Sequence, residues 1–275
     1  MIGYERIQID HRVGPQVAYL QSGDGPVVVL QHGLCGDARQ PAEIFPTGTT
    51  FRHAVLEARG HGDSAVGPDQ DLSIANFADD LAAFIEANCL DPVAVGGISM
   101  GAAVALRLAV RRPDLVRALI VSRPAWVTAA APANMAPNTE IAELLAQGLG
   151  VESFDLSPTA QKLLHAAPDN IASLRGFFTR EPLSATASLL RQIPVDGPGV
   201  TEADLAELNI PVLILASEED HIHPMAHARK LRQIIANSTL VELPPKGRDR
   251  AGHVAACKTA ISSFLKGLPH APPQP

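Results

Sequence analysis

Residues 93–101 read Val-Ala-Val-Gly-Gly-Ile-Ser-Met-Gly, a β-branched run that breaks on glycines, presents one serine and passes into a helical pattern. A serine in this setting is expected on a strained turn between strand and helix, with its hydroxyl pushed outward. Gly97 and Gly101 lack the β-carbons that would clash at so sharp a turn, and the helix start points unpaired N–H groups at the serine. The stretch predicts a nucleophile elbow around Ser99, although such patterns also occur in ordinary turns.

Length and composition allow one large domain or two small ones. The chain has 275 residues, of which 46% are hydrophobic, enough for a substantial core. The net charge of -7 comes from dispersed acidic residues, and no lysine or arginine run could follow a phosphate backbone. We therefore expect a small-molecule substrate and no nucleic acid as partner, while the oligomeric state stays open.

No segment of the sequence suggests a membrane partner or export. Residues 27–30 and Val212–Ala216 are among the longest apolar runs, far short of the roughly 18 residues of a spanning helix. Residues 1–12 lack the apolar core of a signal peptide. Cys35, Cys89 and Cys257 have neither disulfide nor metal-site spacing, which suits a reducing compartment. A cytoplasmic location is expected.

Short apolar runs alternate with helical patterns along most of the chain, which is typical of a parallel sheet covered by helices. Helices are predicted at residues 74–88, 101–111, 224–235 and 254–266. Eight strands are predicted near Ile7 and at residues 17–20, 27–31, 53–57, 93–97, 118–122, 211–216 and 239–243. The predicted fold class is α/β, a mostly parallel eight-stranded sheet with helices on both faces.

The alternation lapses between Trp126 and Leu208, where an Ala-Pro-rich segment leads into helical periodicity without a convincing strand. We predict a mainly helical cap at residues 127–208, inserted after strand 6, between core segments 1–126 and 209–267. A surface insertion without a functional role is the alternative, but long insertions in compact domains are usually functional. Residues 268–275, with four prolines, are expected to form a flexible tail.

Several motifs, taken in order, resemble the α/β-hydrolase superfamily. His32-Gly33 follows the third predicted strand, as in the family's oxyanion loop, and the glycine-rich residues 59–64 follow the fourth. The elbow, residues 97–101, follows the fifth. Residues 220–224 match the family's acid loop, and Ala251-Gly252-His253 stands where the family keeps its histidine. The resemblance covers nearly the whole chain outside the cap.

A serine hydroxyl is a weak nucleophile at neutral pH, so it needs a base that takes its proton and returns it to the leaving group. Histidine suits both steps because its pKa, about 6.5, lies close to working pH, and a carboxylate steadies its charged form. Ser99, Asp220 and His253 follow the order serine, acid, histidine that α/β-hydrolases use.

Each member of this triad has rivals in the sequence. Glu218 and Glu219 adjoin Asp220, but Asp220 lies four residues before Pro224, which is expected to open a helix. A capping or solvent-exposed carboxylate is the plain alternative for Asp220. For the base, His221 and His223 are interpreted as too close in sequence to the acid to face it across the elbow. His270 lies in the predicted tail, and a surface histidine is the plain alternative for His253.

The resemblance also implies an oxyanion hole made by the backbone N–H groups of Leu34 and Met100. Leu34 is expected to line the acyl pocket as well. His32 is interpreted as a turn-stabilising residue rather than a catalytic one. Arg123 follows the sixth strand at the sheet end where ligands gather, so it could bind a substrate carboxylate or make a surface ion pair.

Trp126 is a further candidate for substrate binding, together with Phe154, Phe177 and Phe178, although these rings suit a cap core equally well. No cofactor is expected. No metal is expected either, since His221, His223 and His227 lack a further acidic or cysteine ligand that is not already needed elsewhere. Cys35 is interpreted as a small buried filler.

These features together predict a capped serine hydrolase that cleaves a small carboxylic ester, thioester or lactone through an acyl-enzyme. Carbon-carbon bond hydrolases, acyltransferases, cofactor-free haloperoxidase-like enzymes and hydroxynitrile lyases share the resemblance and stay open. Carbon-carbon hydrolases commonly have asparagine where Ile98 stands, and epoxide hydrolases and haloalkane dehalogenases have aspartate in place of Ser99. A ligand-binding receptor on the same scaffold is the alternative from another class.

Overall fold

An eight-stranded sheet forms the centre of the molecule. The computed structural model describes residues 3–10, 14–88 and 92–268. The strands are β1 (Tyr4–Ile9), β2 (Gln16–Gln21), β3 (Val27–Gln31), β4 (Arg52–Glu57), β5 (Val93–Ile98), β6 (Val116–Ser122), β7 (Val212–Ala216) and β8 (Ser238–Glu242). They lie side by side in the order β1-β2-β4-β3-β5-β6-β7-β8.

The sheet is mostly parallel, as the sequence predicts. Strand β2 runs against both β1 and β4, and the other described strand pairs are parallel. Every residue of β3, β5 and β7 is buried, which is the pattern of strands covered on both faces. The chain passes from β3 outward to β4 and then back to β5 on the other side of β3. Ligands of open α/β sheets bind at the carboxyl ends of strands at such a reversal, so the loops after β3 and β5 are placed to form a site.

Helices cover both faces of the sheet. They are α1 (Arg39–Ile44), α2 (Ile74–Asn88), α3 (Met100–Arg111), α10 (Met225–Ile234) and α11 (Arg250–Lys266). On one face, Phe77, Leu106 and Leu231 of α2, α3 and α10 join one core cluster. On the other face, Ile44 and Ile261 represent α1 and α11 in a second cluster. The eight-stranded sheet with helices on both faces is therefore confirmed.

The insertion between β6 and β7 is helical, as predicted. It contains α4 (Ala136–Ala146), α5 (Val151–Asp155), α6 (Pro158–Ala166), α7 (Pro168–Gly176), α8 (Leu183–Gln192) and α9 (Glu202–Ala206). Ile141, Phe154, Leu163 and Leu174 are buried together in a core cluster of this insertion. We keep the name cap for residues 127–208; its boundaries, and those of the core segments, stay predictions.

The start of α11 differs from the sequence-based expectation. The helix was predicted to begin at residue 254, but it begins at Arg250, because the Asp249 side chain accepts a hydrogen bond from the Gly252 N–H at 2.8 Å and caps it. His253 therefore lies in the first turn of a helix rather than on a loop. Cys89 and residues 269–275 of the predicted tail lie outside the described residues, and none of the described helices is long and apolar enough to cross a membrane.

Substituting Gly101 with alanine should destabilise the fold. A β-carbon there would lie 2.4 Å from the Gln31 carbonyl oxygen and 2.6 Å from that of His32, so the backbone must move. We expect Gly101→Ala to lower the free energy of unfolding by about 2 kcal/mol or more, measured by urea denaturation.

Gly176→Ala is the matched control, since no heavy atom lies within 4 Å of the β-carbon it would add at the end of α7. It should change the free energy of unfolding by less than about 1 kcal/mol, in the stabilising direction if at all. Equal losses of stability in the two variants would contradict the close approach at Gly101.

Candidate active site

Ser99 stands on the strained turn that joins β5 to α3. Its φ of 57° and ψ of -111° lie in a region that residues with side chains rarely adopt. A β-carbon on Gly97 would lie 2.3 Å from the carbonyl carbon of Gly101, so the turn needs glycine at that position. The Ser99 N–H donates to the Ser122 carbonyl oxygen of β6 at 3.0 Å, which ties the turn to the neighbouring strand. The backbone thus has the geometry of a nucleophile elbow.

The sequence predicts an oxyanion hole from two backbone N–H groups, those of Leu34 and Met100. Met100 is the first residue of α3, and Leu34 lies in the turn after β3. The hydrogen bonds of the described residues include none from the N–H of either Leu34 or Met100. Buried N–H groups are normally paired, so an unpaired pair beside a serine is what an oxyanion hole requires.

Two buried histidines hold the loop after β3 in place. His32 Nδ1 donates to the Gly33 carbonyl oxygen at 2.9 Å, while its Nε2 accepts from the Ala58 N–H at 3.1 Å. His61 Nε2 accepts from the Cys35 N–H at 2.9 Å, and its Nδ1 donates to the Arg59 carbonyl oxygen. Burial lowers the pKa of His32 to about 4 and that of His61 well below its usual value, so both rings are neutral. His32 is a loop-stabilising residue, as the sequence suggests.

Cys35 lies in the same loop and in a left-handed conformation, with φ of 57°. Burial raises the pKa of its thiol to about 12, although the Arg180 charge pulls the other way. Thiolate is the reactive form of cysteine, and the raised pKa favours the protonated thiol at neutral pH. The residue is nevertheless only half-buried and lines the cavity described below, which differs from its interpretation as a buried filler.

Asp220, the predicted acid, lies in the loop after β7, and both oxygens of its buried carboxylate accept hydrogen bonds. Its Oδ1 accepts from Asn170 Nδ2 at 2.9 Å, and its Oδ2 accepts from Arg123 Nε at 2.8 Å. His223 Nδ1 contacts both oxygens, at 2.8 and 2.9 Å. Burial alone would raise the pKa of Asp220, but His223, Arg123 and Asn170 hold it well below 3.8. Asp220 is therefore an anion over the whole working range of pH.

Arg123 joins the acid loop to the cap and does not lie on the surface. It is 8% exposed, and its Nη2 lies 2.7 Å from Asp220 Oδ2 and 3.2 Å from Asp169 Oδ2 of the cap. Lys246, in the loop after β8, lies 3.1 Å from Asp169 Oδ1. The four charges balance within the cluster, but only its two cations, Arg123 and Lys246, are among the residues that line the cavity described below.

His253, the predicted base, makes a different contact. Its Nδ1 donates to the Pro244 carbonyl oxygen at 2.9 Å, and burial lowers its pKa below 6.5. Among the described residues no hydrogen bond joins His253 to Asp220 or to Ser99. The structure thus brings Asp220 and Arg123 together, and it gives His253 a backbone partner.

His223 is the side chain that sequence reasoning set aside. The spacing argument did not anticipate that His223 contacts Asp220 directly from three residues away. Glu219, just before the acid, has φ of 59°, and the chain then turns so that the His223 N–H donates to Asp220 Oδ1 at 3.1 Å. A histidine three residues after a candidate acid was the available signal. Among the described residues no group of three or more His, Cys, Asp or Glu is placed to hold a metal ion.

A cavity of about 200 Å³ lies between the cap and the elbow. The core contributes Leu34, Ser99, Arg123 and His223 to its wall. The cap contributes polar and aromatic residues, namely Asn138, Asn170, Ser173 and Phe177. Trp126 is not among the lining residues: it is 1% exposed, and its Nε1 donates to the Asp196 carbonyl oxygen at 2.9 Å.

The cap is fastened to the core on two sides of this cavity. On one side, the Asn170 side chain bonds Asp220 and accepts from the N–H groups of His221 and Ile222, at 2.7 and 3.1 Å. On the other side, Arg180 donates to the carbonyl oxygens of Cys35 and Gly60, at 3.0 and 2.8 Å. Cap residues therefore hold both the acid loop and the oxyanion loop.

This chain belongs to the α/β-hydrolase fold family, whose model matches residues 26–249. Similar proteins over nearly the whole length include the "Putative carbamate hydrolase RutD" of Pseudomonas syringae pv. syringae (strain B728a). It is 27% identical over 262 residues, covering 90% of this chain and 97% of that protein.

Solved structures share the architecture. A thermophilic esterase from Thermogutta terrifontis matches with a TM-score of 0.69 and 23% identity, covering 95% of this chain and 96% of the other. The enol-lactonase from Burkholderia xenovorans LB400 matches with a TM-score of 0.66 and 21% identity, covering 91% and 97%. At these identities the likeness concerns the fold alone.

Removing the Asn170 side chain should weaken the fold, because three hydrogen bonds at the buried acid loop are lost. We expect Asn170→Ala to lower the free energy of unfolding by about 2–4 kcal/mol in urea denaturation. Asn237→Ala is the control, since this exposed amide makes one long bond of 3.3 Å, and its loss should cost under about 0.5 kcal/mol. A loss as small for Asn170 as for Asn237 would show that the fastening contributes nothing.

Proposed function

We propose that this protein is a serine hydrolase that cleaves a small acyl compound through an acyl-enzyme on Ser99. The observation that carries the proposal is a serine on a strained turn that lines a partly open cavity together with Leu34, one of the two residues whose backbone N–H groups have no acceptor among the described residues. A turn of this kind costs free energy, and such strain is typical of functional sites.

In the proposed reaction, Ser99 Oγ attacks the substrate carbonyl carbon while a histidine takes the hydroxyl proton. The negative charge that develops on the carbonyl oxygen is stabilised by the N–H groups of Leu34 and Met100, which require no rearrangement. The same proton then passes to the leaving group, and water releases the acyl group from Ser99. Asp220 holds the proton-carrying histidine in one tautomer. Two histidines can take this part, His253 by its place in the order of motifs and His223 by its contact with Asp220.

The cavity favours a small substrate. Its volume of about 200 Å³ is close to that of cavities that hold a single benzene ring. Esters, thioesters and lactones of this size fit the proposal, and the solved esterase and enol-lactonase structures are consistent with it. Trp126 is buried away from the cavity wall, so nothing supports a part for it in substrate binding. Phe177 lines the cavity and is the better candidate.

A carbamate or another substrate with an N–H group is the second candidate, and one observation favours it. Asn138 is 4% exposed and lines the cavity, yet its Oδ1 has no hydrogen-bond partner among the described residues. A buried acceptor without a partner is costly unless a ligand supplies a donor. The relative named as a carbamate hydrolase supports the same class.

Arg123 is proposed as a substrate ligand only through its place in the cavity wall. Its Nε and Nη2 are engaged by Asp220 and Asp169, so a substrate carboxylate would meet a guanidinium that is already neutralised. Its main part in the proposal is to keep Asp220 ionised. We therefore favour neutral over anionic substrates.

Substituting Ser99 should abolish the reaction. We expect Ser99→Ala to lower kcat/KM for a short-chain aryl ester by more than about 1,000-fold, since the nucleophile is lost. It should also abolish labelling by a fluorophosphonate probe, with circular dichroism checking that the variant is folded.

Ser184→Ala is the control, an exposed serine on α8 that should leave both readouts unchanged. Activity that persists in Ser99→Ala would overturn the proposal. A wild-type protein that binds esters without labelling or turnover would identify a receptor instead, and transfer of the acyl group to an added alcohol in preference to water would identify an acyltransferase.

The pH dependence should follow a histidine with a lowered pKa. Burial lowers the pKa of both His223 and His253 below 6.5, so either ring stays neutral, and able to accept a proton, in mildly acidic solution. We expect kcat/KM to be full at neutral pH and to fall only as the pH drops through the lowered pKa, with a midpoint below 6.5. A midpoint at or above pH 7 in initial-rate measurements would contradict this.

A further inference from the structure

We propose that Gln40 is a positioning residue, which holds the loop after β3 so that the Leu34 N–H can receive the oxyanion. The inference rests on the proposed function and deepens it, since it names a side chain outside the loop on which one oxyanion donor depends. Gln40 lies on α1, and the order of motifs in the sequence does not point to it.

The first observation is the contact between Gln40 and Gly33. Gln40 Oε1 accepts a hydrogen bond from the Gly33 N–H at 2.6 Å, a short distance for a bond from nitrogen. This N–H directly precedes that of Leu34 along the backbone. Gln40 therefore fixes the peptide plane between His32 and Gly33 from a neighbouring helix.

The second observation is that the next peptide plane, between Gly33 and Leu34, is held at its carbonyl end. The Gly33 carbonyl oxygen accepts from the Gly36 N–H at 3.0 Å and from His32 Nδ1 at 2.9 Å. Because a trans peptide is planar, with its C=O and N–H pointing in opposite directions, these bonds also set the direction of the Leu34 N–H. Together with the bond from Gln40, they fix both planes that flank Gly33.

The third observation is the close packing of the loop around the Gln40 amide. A β-carbon on Gly36 would lie 2.7 Å from Gln40 Oε1, and one on Gly33 would lie 3.2 Å from the same atom. The β-carbon on Gly33 would also lie 3.3 Å from the carbonyl oxygen of Ile98, the residue just before Ser99. Gly33 therefore packs against both the Gln40 amide and the elbow, so a change at Gln40 alters how the loop meets the elbow.

A loop with glycine at this point needs such an external contact. Glycine has many allowed backbone conformations, so without Gln40 Oε1 the peptide before Gly33 is free to rotate. An oxyanion donor is effective because it already points at the charge before the charge develops, and a donor that must reorient loses much of its effect. Loss of the Gln40 contact should therefore leave the Leu34 N–H in the productive direction for only part of the time.

A direct contact with the substrate is the competing role for Gln40, because Gln40 also lines the cavity with Leu34 and Ser99. The loop uses Oε1, and Nε2 makes no hydrogen bond among the described residues. The two roles differ in kinetics. A contact with the bound substrate changes KM, whereas a donor held in place for the oxyanion acts on the transition state and changes kcat.

The experiment compares Gln40→Met with the wild type in the full-length protein. Methionine keeps a long, unbranched side chain but offers the Gly33 N–H only a weakly accepting sulfur. We expect kcat for a short-chain aryl ester, and the rate of Ser99 labelling by a fluorophosphonate, to fall by about 10- to 100-fold, since complete loss of an oxyanion donor costs roughly 100- to 1,000-fold. KM should stay within about threefold of the wild type.

Two further variants control for polarity and for the substitution itself. Gln40→Asn keeps an amide but is one carbon shorter, so its oxygen no longer reaches the Gly33 N–H, and it should lose as much as Gln40→Met. Gln233→Met makes the same change at an exposed glutamine of α10 and should leave every readout unchanged. Circular dichroism checks that each variant is folded.

Two competitive inhibitors separate the transition state from the ground state. A trifluoromethyl ketone forms a bond from its carbonyl carbon to Ser99 Oγ, the hydroxyl proton passes to the histidine, and the ketone oxygen becomes an oxyanion. An ether of the same shape has no carbonyl group. We expect Gln40→Met to weaken binding of the ketone by the same factor as kcat/KM and to leave binding of the ether unchanged.

A rise in KM at unchanged kcat, or equal losses for the ketone and the ether, overturns the inference and leaves the proposed function intact. A Gln40→Met or Gln40→Asn variant as active as the wild type also overturns it. If the wild-type serine is not labelled, or if Ser99→Ala keeps its activity, the proposed function fails and the inference fails with it.

Discussion

The close approach between the β5–α3 turn and the loop after β3 is the constraint on which the site depends. Gly101 packs its backbone directly against the carbonyl oxygens of Gln31 and His32. This contact holds the start of α3 against the loop that carries Leu34, although the two belong to different strand-to-helix connections. Any side chain at Gly101 would push the loops apart. The unusual backbone of Ser99 is tolerated because β6 also holds it through the Ser122 carbonyl oxygen.

A second cluster fixes the charge of the site. Asp220 and Asp169 share Arg123, and Asp169 also meets Lys246, so two buried or half-buried carboxylates are matched by two cations. Removing one partner of a buried pair is far more costly than the pair is worth, so the cluster behaves as a unit. It keeps Asp220 ionised in the loop after β7, while Arg123 and Lys246 lie in the cavity wall.

Much of the fold could be predicted from the sequence because its signals are local. The uninterrupted apolar runs of β3 and β7 indicate strands buried on both faces, and the glycine pattern at residues 97–101 indicates the elbow. The packing of the cap could not be predicted, since helical periodicity does not say which helix meets which. For the same reason the sequence did not indicate that Asn170 and Asp169 of the cap would contact residues of the core. The contact between His223 and Asp220 was not predicted, because the turn that brings the two together contains a left-handed Glu219, a conformation that this residue type does not indicate.

The two fastenings of the cap have a consequence for how such an enzyme diversifies. Asn170 bonds Asp220 in the loop after β7, and Arg180 bonds the Cys35 carbonyl oxygen in the loop after β3, so the segment that covers the cavity also holds the loops that line it. Exchanging the whole cap for that of a relative would remove the hydrogen bonds that Asn170 and Arg180 make to the loops of the core, even if the new cap suited the substrate. Changes of substrate selectivity are therefore expected at cap residues that line the cavity without bonding the core, such as Phe177, which lies between Asn170 and Arg180 in the sequence.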